Sequence, residues 1–237
     1  MIKLENTVTP SGVQWRAIIR GMRNPLNSWD KSDSKMVNAV MKNRQICPGV
    51  EALDYEPCDP YFSIGPNDHK LMMKLRNAGS DHRKFMRMIV VYVDITAPLY
   101  WWKEFDTYKI GTVANSCSTM HKIHARDLTL SDFSTDHLDK RGENLTQSVI
   151  DAINLHREGY VMATGDKEEW YKMIQLLPTS YNQKRTVMMN YEVLANIYKS
   201  RKSHKLDEWR EFCKWIETLP YSELITGEGN GTGGKDE

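Results

Sequence analysis

The residues best suited to bind an anion lie near the C-terminus, where Asn190, Asn196 and Arg201 are closely spaced. We predict a helix over 186–203. At 100° per residue, Asn190 and Arg201 share an arc of about 80° with the apolar residues of that helix. Burying Arg201 without a partner would cost several kcal/mol. An anion should therefore meet it, either a nearby Asp or Glu or a phosphate, whose oxygens match the guanidinium fork.

Two other groups have the residue types of chemical sites. His121 and His124 have the spacing of metal ligands, but no carboxylate or cysteine completes a ligand set, so we predict no metal site. Cys117 has the nucleophilic side chain of a covalent catalyst, but a plain buried thiol is the favoured interpretation. Neither group defines an activity.

Composition excludes several classes of protein. The 237 residues carry 32 Lys and Arg against 31 Asp and Glu, which argues against a dedicated nucleic-acid-binding protein. No apolar stretch approaches the roughly 20 residues that cross a bilayer, so we expect no membrane partner. The 4 cysteines form no Cys-x-x-Cys pair, and we expect reduced thiols in a cytoplasmic protein.

The elements that must position these residues form a helix-rich α+β pattern. Strands are predicted at Val13 to Ile19 and at Met88 to Ile95. Helices are predicted from a cap at Asn67 or Asp68 to Gly79, from a cap at Thr96 through 99–109, and at 144–157, 166–177 and 206–218. We predict one domain over 1–225. A disordered Gly-rich tail is expected over 226–237.

The predicted helix over 99–109 carries more aromatic side chains than one buried stripe needs. They are Tyr100, Trp101, Trp102, Phe105 and Tyr108. A helix that is aromatic on several sides is packed on several sides. A large core is the favoured interpretation, with a subunit interface or a planar ligand as the alternatives.

Spaced residues in the C-terminal half resemble the flavin-dependent thymidylate synthases. The matching positions there are Leu177-Pro178, Asn190, Leu194, Asn196, Arg201, Ser203-His204 and Glu208-Trp209. Upstream, the matching positions are Leu75 to Gly79, His82, Ile89 to Ile95 and Ala97 to Tyr100. The resemblance covers about Leu71 to Trp215.

The resemblance implies a fold and an activity. Such enzymes are helix-rich single domains with a small central antiparallel or mixed sheet. They use FAD to move a methylene group from methylenetetrahydrofolate onto dUMP and reduce it to give dTMP, with NADPH supplying the electrons. They are homotetramers with active sites between subunits.

The resemblance also implies roles for individual residues. Arg201 would bind and polarise dUMP, with Lys184 or Arg185 near the nucleotide. Asn190 and Asn196 would contact FAD. His82 has two interpretations, since it would either approach the flavin or cap the loop after Gly79.

The family's Arg-His-Arg signature is altered in this chain. Thr107, Tyr108 and Lys109 occupy its place, and only Lys109 keeps the charge of the second Arg. These three residues and Asn115 are the candidate cofactor-binding positions of this segment. Ser116 or Ser118 would supply the later hydroxyl for the substrate.

The altered signature leaves two alternative functions open. A related flavin-dependent reaction, such as hydroxymethylation of a deoxyuridylate, would use the same scaffold on a related pyrimidine deoxynucleotide. A non-catalytic subunit that binds flavin or nucleotide belongs to another class of protein.

Overall fold

The computed structural model describes residues 2–37 and 61–227, which form two compact units. Unit 1 comprises Met1–Thr7, Tyr92–Met188 and Ser200–Trp215. Unit 2 comprises Val8–Val91, Met189–Lys199 and Ile216–Glu237. The single catalytic domain over 1–225 stays a prediction. The segment 48–66, whose four prolines and two glycines predict a loop, lies mostly outside the described residues.

Helices dominate the described chain. The α-helices are α1 Gly12–Arg23, α2 Pro66–Asn77, α3 Leu99–Phe105, α4 Lys140–Met162, α5 Lys167–Leu176, α6 Tyr191–Arg201, α7 Asp207–Glu217 and α8 Glu223–Thr226. The strands are β1 Lys3–Val8, β2 Lys35–Val37, β3 Tyr61–Ser63, β4 Val90–Pro98, β5 Thr112–Ser116 and β6 Asn182–Asn190. The predicted α+β class is confirmed.

Two small sheets accompany the helices. Strands β1, β4, β6 and β5 form a four-stranded sheet in that order. Strands β2 and β3 form an antiparallel pair in which Met36 lies opposite Phe62. Strands β5 and β6 are therefore neighbours in the sheet although they are far apart in the sequence. Both carry candidate site residues.

The predicted strand over Val13 to Ile19 is wrong, because this segment begins α1. The Ser11 side chain accepts a hydrogen bond from the Gln14 N–H, and the Gln14 side chain accepts one from the Ser11 N–H. This reciprocal capping satisfies N–H groups that a helix start leaves free. The apolar residues then repeat at helical spacing, with Trp15, Ile18, Ile19 and Met22 buried.

The helix predicted over 186–203 is half wrong. Its first part is the end of β6, and α6 begins only at Tyr191. Asn190 is the last residue of β6, directly before α6, and its Oδ1 accepts a hydrogen bond from the Val193 N–H at 3.0 Å. Asn190 therefore caps α6 instead of lying on its buried face.

Other boundaries differ in instructive ways. The strand predicted at 88–95 runs to Pro98, so Thr96 lies within β4 and does not cap α3. Neither Asn67 nor Asp68 caps α2, since both donate their backbone N–H groups to the Asp33 side chain. The end of that helix was predicted correctly, because Gly79 has φ of 106°.

The later helices agree more closely with the sequence. Helices α5 and α7 lie within one or two residues of the predicted bounds, whereas α4 extends the predicted 144–157 at both ends. The tail boundary predicted at 226 falls at the end of α8, and residues 228–237 lie outside the described chain. No helix of the described ranges is long and apolar enough to span a membrane.

The buried aromatic residues of α3 belong to a core region of unit 1, as the favoured interpretation expected. Trp101, Trp102 and Phe105 are buried, and the rings of Trp101 and Phe105 contact those of Trp209 and Phe212 of α7. This packing fixes α3 against α7. The C-terminal end of α3 is thereby held beside the first turn of α7.

Candidate functional site

Arg201 ends α6 in a cluster of polar and aromatic side chains within unit 1. Its Nη1 donates to Glu104 Oε2 at 2.7 Å, and its Nε donates to the Tyr108 hydroxyl at 2.9 Å. The guanidinium carbon lies 4.7 Å from the centre of the Trp209 ring. Of the two partners that the sequence left open for Arg201, the structure supplies the carboxylate.

Glu104 is the shared acceptor of this cluster. Its Oε2 also accepts a hydrogen bond from Trp209 Nε1 at 2.9 Å and lies 3.6 Å from His204 Nε2. Within the described ranges, no hydrogen-bond partner is found for Arg201 Nη2 or Glu104 Oε1. The pair therefore retains one donor and one acceptor atom, while its two charges largely cancel.

A partly buried contact between a hydroxyl and a carboxylate also links α3 to α7. The Tyr100 hydroxyl donates to Glu208, which is buried. Burial and the Glu208 hydrogen bond raise the pKa of Tyr100. Tyr100 therefore stays a hydrogen-bond donor at neutral pH and helps hold the two helices in register.

A cavity of ≈ 290 Å³ lies beside the altered signature in unit 1. Its lining includes Tyr108, Lys109 and Thr112, together with Phe105 and Asp106. The Thr112 hydroxyl is buried and has no hydrogen-bond partner among the described residues. An unsatisfied buried hydroxyl is uncommon in a folded protein and marks a position where a ligand group would be stabilised.

The two predicted cations of β6 are already paired. Lys184 Nζ lies 3.1 Å from Asp94 Oδ2, and Arg185 donates to Asp106 at 2.7 Å while stacking 4.1 Å from the Trp102 ring centre. Hydrogen bonds from Thr186, Asn6 and Lys184, in that order, lower the pKa of Asp94 to about 2. The same carboxylate raises the pKa of Lys184. Both cations are thus held on the sheet.

The remaining unit 1 candidates are at the surface. Thr107 follows α3, where its hydroxyl donates to the Glu104 carbonyl at 2.8 Å. Asn115 and Ser116 end β5 with exposed side chains. The Ser118 hydroxyl accepts from the His121 N–H at 3.2 Å. Arg201 and Tyr108 are therefore the predicted residues that the structure brings into direct contact.

Three candidates belong to unit 2. His82 is exposed, and its N–H donates to the Gly79 carbonyl, which agrees with the loop-capping interpretation. It also lines a cavity of ≈ 200 Å³. Asn190 caps α6, and Asn196 is exposed on that helix. These positions are outside the cluster around Arg201.

The structure also places the pair His121 and His124, which has metal-ligand spacing, and the Cys117 thiol. His124 packs 4.8 Å from the Tyr160 ring centre, and its Nδ1 has no partner in the described chain. No group of three or more potential metal ligands occurs among residues 2–37 and 61–227. Cys117 is a free thiol that is exposed, so the prediction of a buried thiol is wrong.

Solved structures share this architecture along almost the whole chain. Flavin dependent thymidylate synthase ThyX from Helicobacter pylori, complexed with FAD and dUMP, matches with a TM-score of 0.59 and 13% identity over 95% of this chain and 98% of that one. A second structure of the same protein, at 2.31 Å resolution with FAD and dUMP, matches with a TM-score of 0.59 and 15% identity over 95% and 97%. This chain has the flavin-dependent thymidylate synthase fold. No family model matches the chain, and no curated protein matches it in sequence.

Within the thymidylate synthase fold of this chain, sequence reasoning missed Glu104 as the partner of Arg201. The signal was weak, because Glu104 is one acidic residue among 31 Asp and Glu. Its helix was predicted, however, and a Glu two residues after paired tryptophans cannot lie far from the aromatic core. The 97-residue separation between the partners is what the sequence alone could not bridge.

Proposed function

We propose that this protein is a flavin-dependent thymidylate synthase, which converts dUMP to dTMP by reductive methylation with methylenetetrahydrofolate and NADPH. The observation that carries the proposal is the position of Arg201 at the end of α6, bonded to Tyr108 of the segment that replaces the family signature. Tyr108 also lines the cavity of ≈ 290 Å³. The shared fold supports the same conclusion.

The Arg201–Glu104 pair suits a neutral pyrimidine edge better than a phosphate. Uracil presents carbonyl oxygens that accept hydrogen bonds and an N3–H that donates one. Arg201 Nη2 supplies a donor and Glu104 Oε1 an acceptor. A guanidinium whose charge is balanced by a carboxylate attracts a dianion less strongly than a free one. We therefore assign this pair to the base of dUMP and not to its phosphate.

The residues of the ≈ 290 Å³ cavity fit part of a flavin. The volume is at the lower end of the roughly 300–1,000 Å³ of ligand sites, so it suits one ring system and not a whole dinucleotide. Tyr108 and Phe105 offer aromatic contacts, Lys109 a positive charge and Thr112 an unsatisfied hydroxyl. FAD, when bound, supplies the hydride that reduces the transferred carbon.

The remaining candidates support a multi-subunit site. Asn196 is exposed and has no hydrogen-bond partner among the described residues, which agrees with a contact to FAD bound by another subunit. Ser116 and Ser118 are exposed at the end of β5 and just after it, where they would bind the phosphate of dUMP. We accordingly propose a homotetramer of single catalytic domains.

The test supplies purified protein with FAD, dUMP, methylenetetrahydrofolate and NADPH, and identifies the nucleotide product by mass. We expect dTMP. Omission of methylenetetrahydrofolate is the control and should leave dUMP unchanged. Bound FAD without any new nucleotide would overturn the proposed reaction and favour a non-catalytic flavin-binding subunit.

The altered signature favours one alternative reaction. Thr107 and Tyr108 replace two basic residues of the family signature. The access of water and the donors of protons near the transferred carbon therefore need not be those of a methylating enzyme. Hydroxymethylation would then be the outcome. A product that is heavier than dTMP by one oxygen would select it over methylation.

A further inference from the structure

A second cavity, of ≈ 470 Å³, lies in unit 2. One face of α1, the short helix Trp29–Lys31 and the β2–β3 pair line it. Its volume falls within the range of small-molecule sites. The charged residues of its lining are Arg16, Arg20, Arg23 and Lys35, and no carboxylate of the described chain is among the lining residues.

The three arginines share one face of α1 because they are spaced by four and three residues. The helix, with the sequence GVQWRAIIRGMR, contains no acidic residue that would offset them. Arg16, Arg20 and Lys35 are exposed, and their side chains have no ion pair or hydrogen bond with residues 2–37 or 61–227. Like charges concentrated on one helix face oppose folding, so a bound anion would relieve the repulsion.

Arg23 differs from the other two arginines because its charge is already balanced. It is 4% exposed, and its Nε donates to Asp68 Oδ1 at 2.5 Å. Asp68 also accepts hydrogen bonds from the hydroxyls of Ser32 and Ser34. Asp68 is therefore fully used within the buried network.

Asp33, which lies between the lining residues Ser32 and Ser34, is used as well. Asp33 accepts the backbone N–H groups of Asn67 and Asp68 at 2.9 and 3.0 Å and so caps α2. This leaves the positive charges of Arg16, Arg20 and Lys35 without a counterion among the described residues.

An aromatic ring completes the cavity. Trp29 lines it and is 51% exposed. Its indole N–H donates to Asn24 Oδ1 at 2.7 Å, which fixes the ring in one orientation. A held aromatic face beside uncompensated cations matches a ligand that joins a flat base to a charged group.

We propose that this cavity binds a nucleoside diphosphate, either free or as half of a dinucleotide, with its diphosphate against Arg16, Arg20 and Lys35 and its base on Trp29. Two neighbouring guanidinium groups can each bind phosphate oxygens through paired N–H donors. The site uses none of the residues around Arg201, so it stands whether or not the proposed reaction is correct.

Calorimetric titration of the full chain with ADP and with inorganic pyrophosphate tests whether the cationic residues of the cavity bind a diphosphate. The double variant Arg16→Gln/Arg20→Gln should bind both probes at least tenfold more weakly than the parent chain. Arg141→Gln is the matched control, because Arg141 is also exposed and without a described partner, but lies on α4. No ADP binding by the parent chain, or an equal loss in the control, would overturn the proposal.

A second variant tests the role of the ring. Trp29→Ala should lower the affinity for ADP to that for pyrophosphate, while the affinity for pyrophosphate itself stays within twofold. Circular dichroism spectra that match the parent would show that both variants fold. An unchanged ADP affinity in Trp29→Ala would remove the base from the proposed site.

Competition separates the two sources of the diphosphate. Displacement of ADP by NADPH or FAD at micromolar concentration would assign the cavity to half of a dinucleotide. Retention of ADP in their presence would assign it to a free nucleotide. Both results support the site, whereas displacement of ADP that persists in the Arg16→Gln/Arg20→Gln variant would place ADP elsewhere and overturn it.

Discussion

Arg201 in unit 1 is paired with a carboxylate, whereas Arg16 and Arg20 of α1 in unit 2 have no such partner among the described residues. Arg201 is bonded to Glu104 and Tyr108 and lies over Trp209. Arg16 and Arg20 have no partner among the described residues, although they line a cavity of larger volume. A balanced guanidinium offers directional hydrogen bonds with little net charge, whereas an unbalanced one attracts anions from solution.

The difference separates two kinds of recognition. The Arg201–Glu104 pair can distinguish the edge of a base, because it presents a donor and an acceptor at fixed positions. The α1 cavity would distinguish ligands chiefly by charge and by one flat ring. Arg23 shares a feature with each group. It lines the α1 cavity, and like Arg201 it is paired with a carboxylate, that of Asp68.

The largest expected effect comes from removing the counterion of Arg23. Asp68→Ala leaves a buried guanidinium unpaired and should lower the free energy of unfolding by about 3–5 kcal/mol. Urea unfolding followed by tryptophan fluorescence measures it. Asp30→Asn, at an exposed acid nearby, should change stability by less than about 0.5 kcal/mol. A loss below about 1 kcal/mol in Asp68→Ala would contradict the assigned pairing.

The same pair predicts a pH dependence. Burial alone would raise the pKa of Asp68, but the hydrogen bonds from Ser32, Ser34 and Arg23 outweigh it and lower that pKa. A lowered pKa stabilises the fold above the unfolded value of about 3.9, and this contribution is lost as the pH falls through the folded value. Unfolding free energy should therefore fall below about pH 4, and less steeply in Asp68→Ala.

The next effect concerns Arg201. Arg201→Ala removes the proposed charged hydrogen bond to the base, whose expected contribution is about 1.5–3 kcal/mol, so dUMP should bind roughly 10- to 150-fold more weakly. The helix should stay intact, because Ala is the better helix former. Calorimetric titration with dUMP measures the loss. Lys199→Ala, an exposed position on the same helix, should bind dUMP as the parent does.

Unchanged dUMP affinity in Arg201→Ala would remove Arg201 from the substrate site. The structural cluster would remain, since Glu104 would still accept from Trp209. The shared fold would then be the one remaining support for the proposed reaction.

A smaller change would make Arg201 resemble the arginines of α1. Glu104→Gln keeps an oxygen acceptor for Trp209 but removes the balancing charge. The pair is partly exposed, so the change should shift phosphate binding by no more than about 1 kcal/mol. Inorganic phosphate should then bind about two- to fivefold more tightly at low salt. Glu211→Gln, which breaks a surface pair with Lys214, should not show this gain.

Local sequence signals explain which elements could be predicted. Helix α5 begins at a capping Asp166, and Gly79 follows α2 in the left-handed conformation, as their residue types indicate. Two local signals conflict at α1. Ser11 and Gln14 have the spacing of a capping box, which indicates a helix, whereas Val13, Trp15, Ala17 and Ile19 alternate with other residues as in a half-buried strand.

The site was harder to predict than the fold because its contacts are long-range. The sequence indicated that Arg201 needs an anionic partner. It could not indicate that this partner is Glu104, which is 97 residues away in the chain. The resemblance implied that Lys184 or Arg185 lies near the nucleotide, and in the structure they are paired with Asp94 of β4 and with Asp106, which follows α3. Periodicity reports which face of an element is buried and does not report what that face meets.

Asp94 gives the smallest effect and the sharpest measurement, because it decides whether Lys184 is a free cation like those of α1. Its carboxyl should titrate at about 2 by NMR. Thr186→Val should raise that pKa most, since the Thr186 hydroxyl contributes the largest lowering, while Thr146→Val should leave it unchanged. Because the pKa is lowered, the ionised carboxyl stabilises the fold above about pH 3.9, and this stabilisation is lost as the pH falls towards 2. A carboxyl that titrates near 3.9 in the parent would mean that Lys184 is unpaired in solution and available to a nucleotide.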